Sequence, residues 1–243
     1  MQTPSRVDHN STLNLLVAAP ASQRNPLPVP VLMGLKGNEE IASQVLIAYE
    51  AGYRFIPNAA LSLDAAVFYN DYDKLRNIST EDSFNWPYAE MYGIFTNGED
   101  GNTHGLELAI AWQATHSLKI DLAYSLIYEN LSGTQHLVAS ETPTNQLSLM
   151  ADWQLTDTLT FDFWGRYVDK TRALYSMSTD YTYQIDDYFT VDLQLRYNPI
   201  QNLELALIGQ NLLEKNHEEF VQEIYTLPAT VARGIYMKAT YRF

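Results

Sequence analysis

The side chains with reactive potential are scattered, and few of them fall into a pattern that chemistry needs. Asp64, Asp121 and Asp162 are carboxylates of the kind that could share acid–base work, which requires two such groups converging on one reacting atom. Each instead sits in the polar phase of its own alternating segment, where carboxylates line a wet surface. There is no Gly-x-Ser-x-Gly elbow, no His-Glu-x-x-His pair and no glycine-rich phosphate loop. His104, His116 and His136 have no neighbouring Ser that marks a nucleophile. The reading is a non-enzyme without a cofactor. The run His217-Glu218-Glu219 has metal-ligating types, but adjacent residues on a strand face opposite ways, so a satisfied histidine is expected there and no metal. Asn70, Asp71 and Asp73 offer oxygens of the kind Ca²⁺ takes, without the spacing of a complete calcium loop. The densest chemistry lies in residues 79–102, where Glu81, Asp82, Glu90, Glu99 and Asp100 stand with no Lys or Arg among Phe84, Trp86, Tyr88, Tyr92 and Phe95. Aromatic faces beside carboxylates suit a cationic or sugar-like ligand. Trp86, Tyr88, Glu90 and Tyr92 are therefore the candidate ligand-binding residues, set against the plainer reading that an acidic segment keeps a surface hydrated.

The elements that must position these groups show a period of two. Leu118, Ile120, Leu122, Tyr124, Leu126 and Tyr128 alternate with Lys119, Asp121, Ala123, Ser125 and Ile127. Phe189, Val191, Leu193, Leu195 and Tyr197 alternate with Thr190, Asp192, Gln194 and Arg196. A strand keeps such a set on one face, whereas a helix would spread it around its surface. Nine strands are expected, at roughly 41–56, 58–70, 103–115, 118–130, 143–155, 158–170, 188–198, 201–212 and 231–243. They are longer than the usual five or six residues of a sheet and reach the roughly 9–11 that a tilted strand needs to cross a bilayer. Tight turns are expected at Pro57-Asn58, His116-Ser117, Thr156-Asp157 and Pro199-Ile200, and long polar links near 71–102, 131–142, 171–187 and 213–230. Short turns on one side and long loops on the other suit an outer-membrane barrel.

Aromatic residues in the apolar phase form two bands. Tyr53, Phe55, Trp112, Trp153, Phe161, Tyr197, Tyr241 and Phe243 lie toward the short turns, and Tyr69, Tyr124, Tyr128, Tyr167 and Phe189 toward the long links. Rings settle at headgroup level on either side of an aliphatic belt. The other phase carries both signs of charge, among them Arg54, Glu107, Lys119, Asp152, Arg166, Arg196 and Lys238, as a lumen wall would. Composition narrows the field further. Fifteen Lys+Arg against 29 Asp+Glu give a net charge of −14, a poor match for nucleic-acid phosphates. The lack of cysteine removes disulfides and thiolate metal sites. No apolar run reaches the roughly 18 residues of a membrane-crossing helix. Residues 1–40 are Pro-rich and read as an external loop region following a missing strand, with 41–243 supplying the barrel strands. With nine crossings and no export signal ahead of them, a C-terminal piece of a larger barrel is the expectation.

Five stretches in order carry a resemblance: Thr3–Arg6 (TPSR), Tyr49–Arg54 with Leu61–Arg76, His104–Trp112 (HGLELAIAW), Gly209–Phe220 (GQNLLEKNHEEF) and Ala232–Phe243 (ARGIYMKATYRF). Together they resemble the C-terminal part of a TonB-dependent outer-membrane receptor. The resemblance implies an all-β, antiparallel transmembrane barrel of which this chain is the last nine of 22 strands. It also implies a plug and a TonB-contact segment lying outside the resembling part, and uptake of a scarce ligand, siderophore-like or another small nutrient. Tyr241 and the terminal Phe243 correspond to the signal that similar proteins present to the barrel-assembly machinery. The implied partners are outer-membrane lipid and lipopolysaccharide, that machinery, the TonB system and an external small molecule. The alternatives are a plug-free porin-like or adhesin barrel and a soluble β-sandwich.

Overall fold

The computed structural model describes residues 2–21, 27–133, 142–174, 182–220 and 229–243. The described chain is almost entirely strand. Two compact units are present, Met1–Ala48 with Asn70–Asn102 and Asn130–Leu137, and Tyr49–Tyr69 with Thr103–Glu129 and Val138–Phe243. No helix is long and apolar enough to cross a membrane.

The second unit is a meander of neighbouring strands, of which the first four also have residues in the first unit. Its described order runs β3 (Val45–Asn58), β4 (Leu61–Asn85), β5 (Tyr88–Gln113), β6 (Leu118–Gly133), β7 (Asn145–Thr156), β8 (Leu159–Val168), β11 (Tyr188–Ile200), β12 (Leu203–Gln210) and β15 (Gly234–Tyr241). All nine expected strands are present. From β6 to β15 every pairing is antiparallel, and the register sorts the two phases onto two faces. Lys119 pairs Asp152, Asp152 pairs Asp162 and Asp162 pairs Gln194, so charges line one face. Ile120, Ala151, Phe163 and Leu193 line the other. That apolar face stays bare, with Leu207 at 46%, Ile235 at 69% and Met237 at 78% exposure. In water so wide an apolar surface would aggregate, whereas hydrocarbon is its natural solvent.

The turn expected at His116-Ser117 falls within residues 114–117, and the other three fall slightly later than expected, at 59–60, 157–158 and 201–202. Pro57 and Pro199 lie inside β3 and β11 rather than in the turns. A strand end tolerates a missing N–H, and the ladder beside Pro199 is already irregular between Tyr197 and Ile200. Two small hairpins rise from the long links, β9 (Thr171–Leu174) with β10 (Thr182–Ile185), and β13 (Asn216–Phe220) with β14 (Ala229–Ala232).

The first unit departs most from expectation. The link read as a long loop at 71–102 is largely strand, because β4 runs for 25 residues and β5 for 26. Residues 1–40 also hold more than a loop: α1 (Arg6–Asn10), β1 (Thr12–Ala18) and β2 (Val31–Lys36). β1 and β2 pair antiparallel, and β2 then runs parallel to β5 from Val31↔Ala89 to Lys36↔Ile94. This added hairpin supplies the apolar cover that keeps the acidic segment extended. Ala18, Val29, Val31 and Ala89 form its small core, flanked by Met33. Gly34 is needed there because the Tyr92 ring and the Leu13 carbonyl occupy the space a Cβ would fill. Lys74 adopts a left-handed backbone (φ 59°), and its N–H donates to Asp100 at 3.0 Å. Asn97 ties the same region together, donating to the Ala42 and Lys74 carbonyls at 3.1 and 2.8 Å.

Candidate functional site

Each unit presents one surface with chemical potential. In the first it is the end of the β4–β5 hairpin. The strands put Trp86 at the turn, 79% exposed, with Phe84 and Tyr88 on either side at 63% and 39%. Glu90 accepts a hydrogen bond from Ser83 Oγ at 3.1 Å, a cross-strand contact that holds the carboxylate near these rings. Tyr92 stands apart from the other three candidates. It is buried on the flank of the β1–β2 hairpin, its hydroxyl donating to Asn14 Oδ1 at 2.8 Å while the Lys36 ammonium lies 3.9 Å from its ring centre. Burial, with the charges of Glu90 and Tyr88 adding to it, pushes the Tyr92 hydroxyl above its usual range. The structure therefore gathers Trp86, Tyr88 and Glu90 at the hairpin end and commits Tyr92 to packing.

The base of that unit is fixed by Asp8. Burial pushes its carboxyl up, but hydrogen bonds outweigh that and hold it below the usual range. They come from the Ser5 N–H at 2.7 Å, the Ser5 hydroxyl at 2.8 Å and Arg76 Nη1 at 2.9 Å. Sequence alone gives no hint of this pair, which is 68 residues apart. Asp71 and Asp73 lie on β4, and among the described residues no set of three or more acidic or histidine side chains could hold a metal ion.

In the second unit the surface is the charged face of the wall, which borders an open concavity of about 890 Å³. Three arginines serve it differently. Arg54 pairs with Asp64 across the β3–β4 turn. Arg196 on β11 reaches both Asp162 oxygens at 2.9 and 2.8 Å and Asp152 at 2.8 Å, separating two carboxylates that the register sets opposite each other. Arg166 on β8 is held from three sides. Its Nε donates to Thr190 at 3.3 Å, its plane lies 4.7 Å from the Trp164 ring, and Nη2 reaches Glu219 at 3.4 Å. Trp164 is anchored in turn by its Nε1–H donating to Ser148 at 2.8 Å.

Glu219 belongs to the β13–β14 hairpin, which folds against β11. His217 Nε2 lies 2.8 Å from Glu219 Oε1, and its ring packs 4.7 Å from that of Tyr188. Glu218, on the opposite side of β13, accepts from the Tyr183 hydroxyl of β10 at 2.7 Å. His217-Glu218-Glu219 is thus a two-sided fastening, as strand alternation requires. The bend that delivers it is Asn211, left-handed (φ 49°) and 2% exposed. Its N–H donates to Asp192 at 2.8 Å and its side-chain amide to the Val231 carbonyl at 3.0 Å. Asn211 lies in the stretch that carries the family resemblance, but its partners come from β11 and β14. Sequence reading missed that Arg166, Thr190, Glu219 and His217 converge, and no local spacing signals a contact across 53 residues. At the chain end, Tyr241 and Phe243 are exposed and meet edge to face at 5.3 Å.

Comparison with known proteins follows the same outline. The family described as TonB-dependent receptor-like, β-barrel, matches residues 20–212. No curated protein matches the chain by sequence. Among solved structures, the ferric-catecholate import receptor Fiu of Escherichia coli K12 is similar at a TM-score of 0.67 and 17% identity, over 85% of this chain and 29% of Fiu. A variant of the ferric enterobactin receptor PfeA of Pseudomonas aeruginosa gives 0.63 and 20%, over 86% of this chain and 33% of PfeA. The pyoverdine receptor FpvA of Pseudomonas aeruginosa PAO1, bound to pyoverdine, gives 0.66 and 19%, over 85% and 31%. The chain spans about a third of the length of each of these receptors.

Proposed function

The chain belongs to the TonB-dependent receptor-like β-barrel family of the Gram-negative outer membrane, and from that membership we propose that it is the C-terminal barrel part of a receptor for TonB-dependent uptake of a scarce ligand. A ferric siderophore is the ligand class, in keeping with relatives named as ferric-catecholate, ferric-enterobactin and pyoverdine receptors. Residues 1–40 would lie outside the membrane and 41–243 would supply barrel strands. The observation that carries this reading is the sorting of β6 to β15 into a bare apolar face and a charged face bordering an open concavity. Lipid solvates the first, and the second offers a passing ligand fixed charges and hydrogen-bond donors.

Energy coupling through the TonB system would require parts of a receptor beyond this chain. Trp86, Tyr88 and Glu90 would make the first ligand contact, and Tyr241 with Phe243 would serve the barrel-assembly machinery. Lipopolysaccharide would surround the outer rim. The alternative is a plug-free porin-like or adhesin barrel. Uptake of radioactive ferric enterobactin by cells with and without the gene, under iron limitation, separates the two. The expected result is uptake that needs the gene and stops when the proton-motive force is dissipated. Gene-dependent passage of small sugars that persists without that force would establish the porin reading instead.

A further inference from the structure

We propose that Arg166 is an anion-receiving site of the inner wall, occupied in the resting state by Glu219, so that the β13–β14 hairpin is a strap which an anionic oxygen group of the ligand displaces. The inference rests on the receptor reading and adds to it a residue, a ligand chemistry and a moving part.

The argument comes from comparing the wall's cations. Arg196 has two carboxylates at 2.8–2.9 Å, and Arg54 and Lys119 are paired with Asp64 and Asp121. An anion that took any of those cations would strand a carboxylate of the wall itself. Arg166 differs on three counts. Its guanidinium is fixed independently of Glu219, by Thr190 on one edge and Trp164 on its face, so it stays aimed when the carboxylate leaves. Its contact with Glu219 is the loosest of the wall's arginine–carboxylate pairs, at 3.4 Å, and Nη1 has no hydrogen-bond partner among the described residues. Glu219 also has a second partner waiting, because the same Oε1 lies 2.8 Å from His217 Nε2. A carboxylate, catecholate or phosphate oxygen entering the concavity that Arg166, Tyr188 and Glu219 line would take the guanidinium, and Glu219 would remain satisfied on His217. Glu218 carries the consequence outward, since its bond from Tyr183 couples the β9–β10 hairpin to the same strap.

Trp164 is a built-in reporter. The test titrates citrate, and separately 2,3-dihydroxybenzoate, both free of iron, into the detergent-solubilised full receptor. The signal is the tryptophan emission that a Trp164→Phe variant lacks. Glu219→Gln should tighten the response by roughly threefold to tenfold by removing the competitor, and Arg166→Gln should weaken it roughly tenfold or more. Binding unchanged in both variants, a weakening in Glu219→Gln, or no Trp164 response to either anion in the parent and in Glu219→Gln would each overturn the proposal. If ferric siderophore uptake fails in cells while the Glu219→Gln gain persists, the receptor reading falls and the Arg166 site stands.

Discussion

The extended hairpin region and the membrane wall hold their buried polar groups by different geometry. In the first, Asp8 is satisfied from three residues away by Ser5, as a helix cap, and only then by Arg76 on β4. In the wall, Thr190, Asn211 and His217 are buried with partners on β8, β11, β13 and β14. The former is a local arrangement to which a long-range contact is added. The latter exists only when distant strands are in register. The comparison teaches that alternation suffices to build a two-faced wall, while anything lying over either unit's strands depends on chain segments from elsewhere.

Four experiments can break or sharpen this contrast. Tyr92→Ala should cost the extended region about 3 kcal/mol or more, by deleting the ring that fills the space above Gly34. Hydrogen exchange should then quicken in β1 and β2 while β7 and β8 keep their protection, and equal loosening of both units would break the distinction. Leu149→Arg places a charge on the apolar face and should destabilise the folded barrel by about 2–4 kcal/mol in lipid vesicles, whereas Met150→Arg on the opposite face, paired with Asp121, should cost far less. Equal costs would refute the assignment of faces.

Acid gives the third test. The folded Asp8 carboxyl sits below its ordinary pKa, so its contribution is complete above about pH 3.9, the unfolded value, and is lost as pH falls through the lower folded one. Amide exchange at Asp8 and Ser11 should therefore accelerate only in that acid window, and Asp8→Asn should abolish the dependence. Ser5→Ala should cost the same helix about 1 kcal/mol. The smallest effect belongs to Trp86→Ser, which should leave stability within about 0.5 kcal/mol because the side chain is exposed, and should show itself in ligand contact alone.

How much was legible differs between these regions for the same reason. The nine strands and their faces could be read because a strand writes its burial into every second residue, and Leu147, Leu149 and Ala151 face one way whatever their neighbours are. The continuation of β4 and β5 through 71–102 could not, since its acidic residues alternate against a β1–β2 hairpin whose parallel pairing no local pattern announces. Of the candidate ligand residues, the exposed Trp86 and Tyr88 and the half-buried Glu90 needed only their place near a turn, whereas the burial of Tyr92 goes with a contact to Asn14, which is 78 residues away.

By itself the amino-acid order determined the strand period, the split between an apolar and a charged phase, the aromatic bands and the family that this chain joins, because each is encoded in near neighbours or short motifs. Tertiary structure alone decided which carboxylate each arginine meets, that His217 and Glu219 come together beside Arg166 and Tyr188, and that Asn211 ties Asp192 to Val231. Hydrogen bonds and ion pairs act over about 3 Å, and only the folded register brings residues so distant in sequence within that reach.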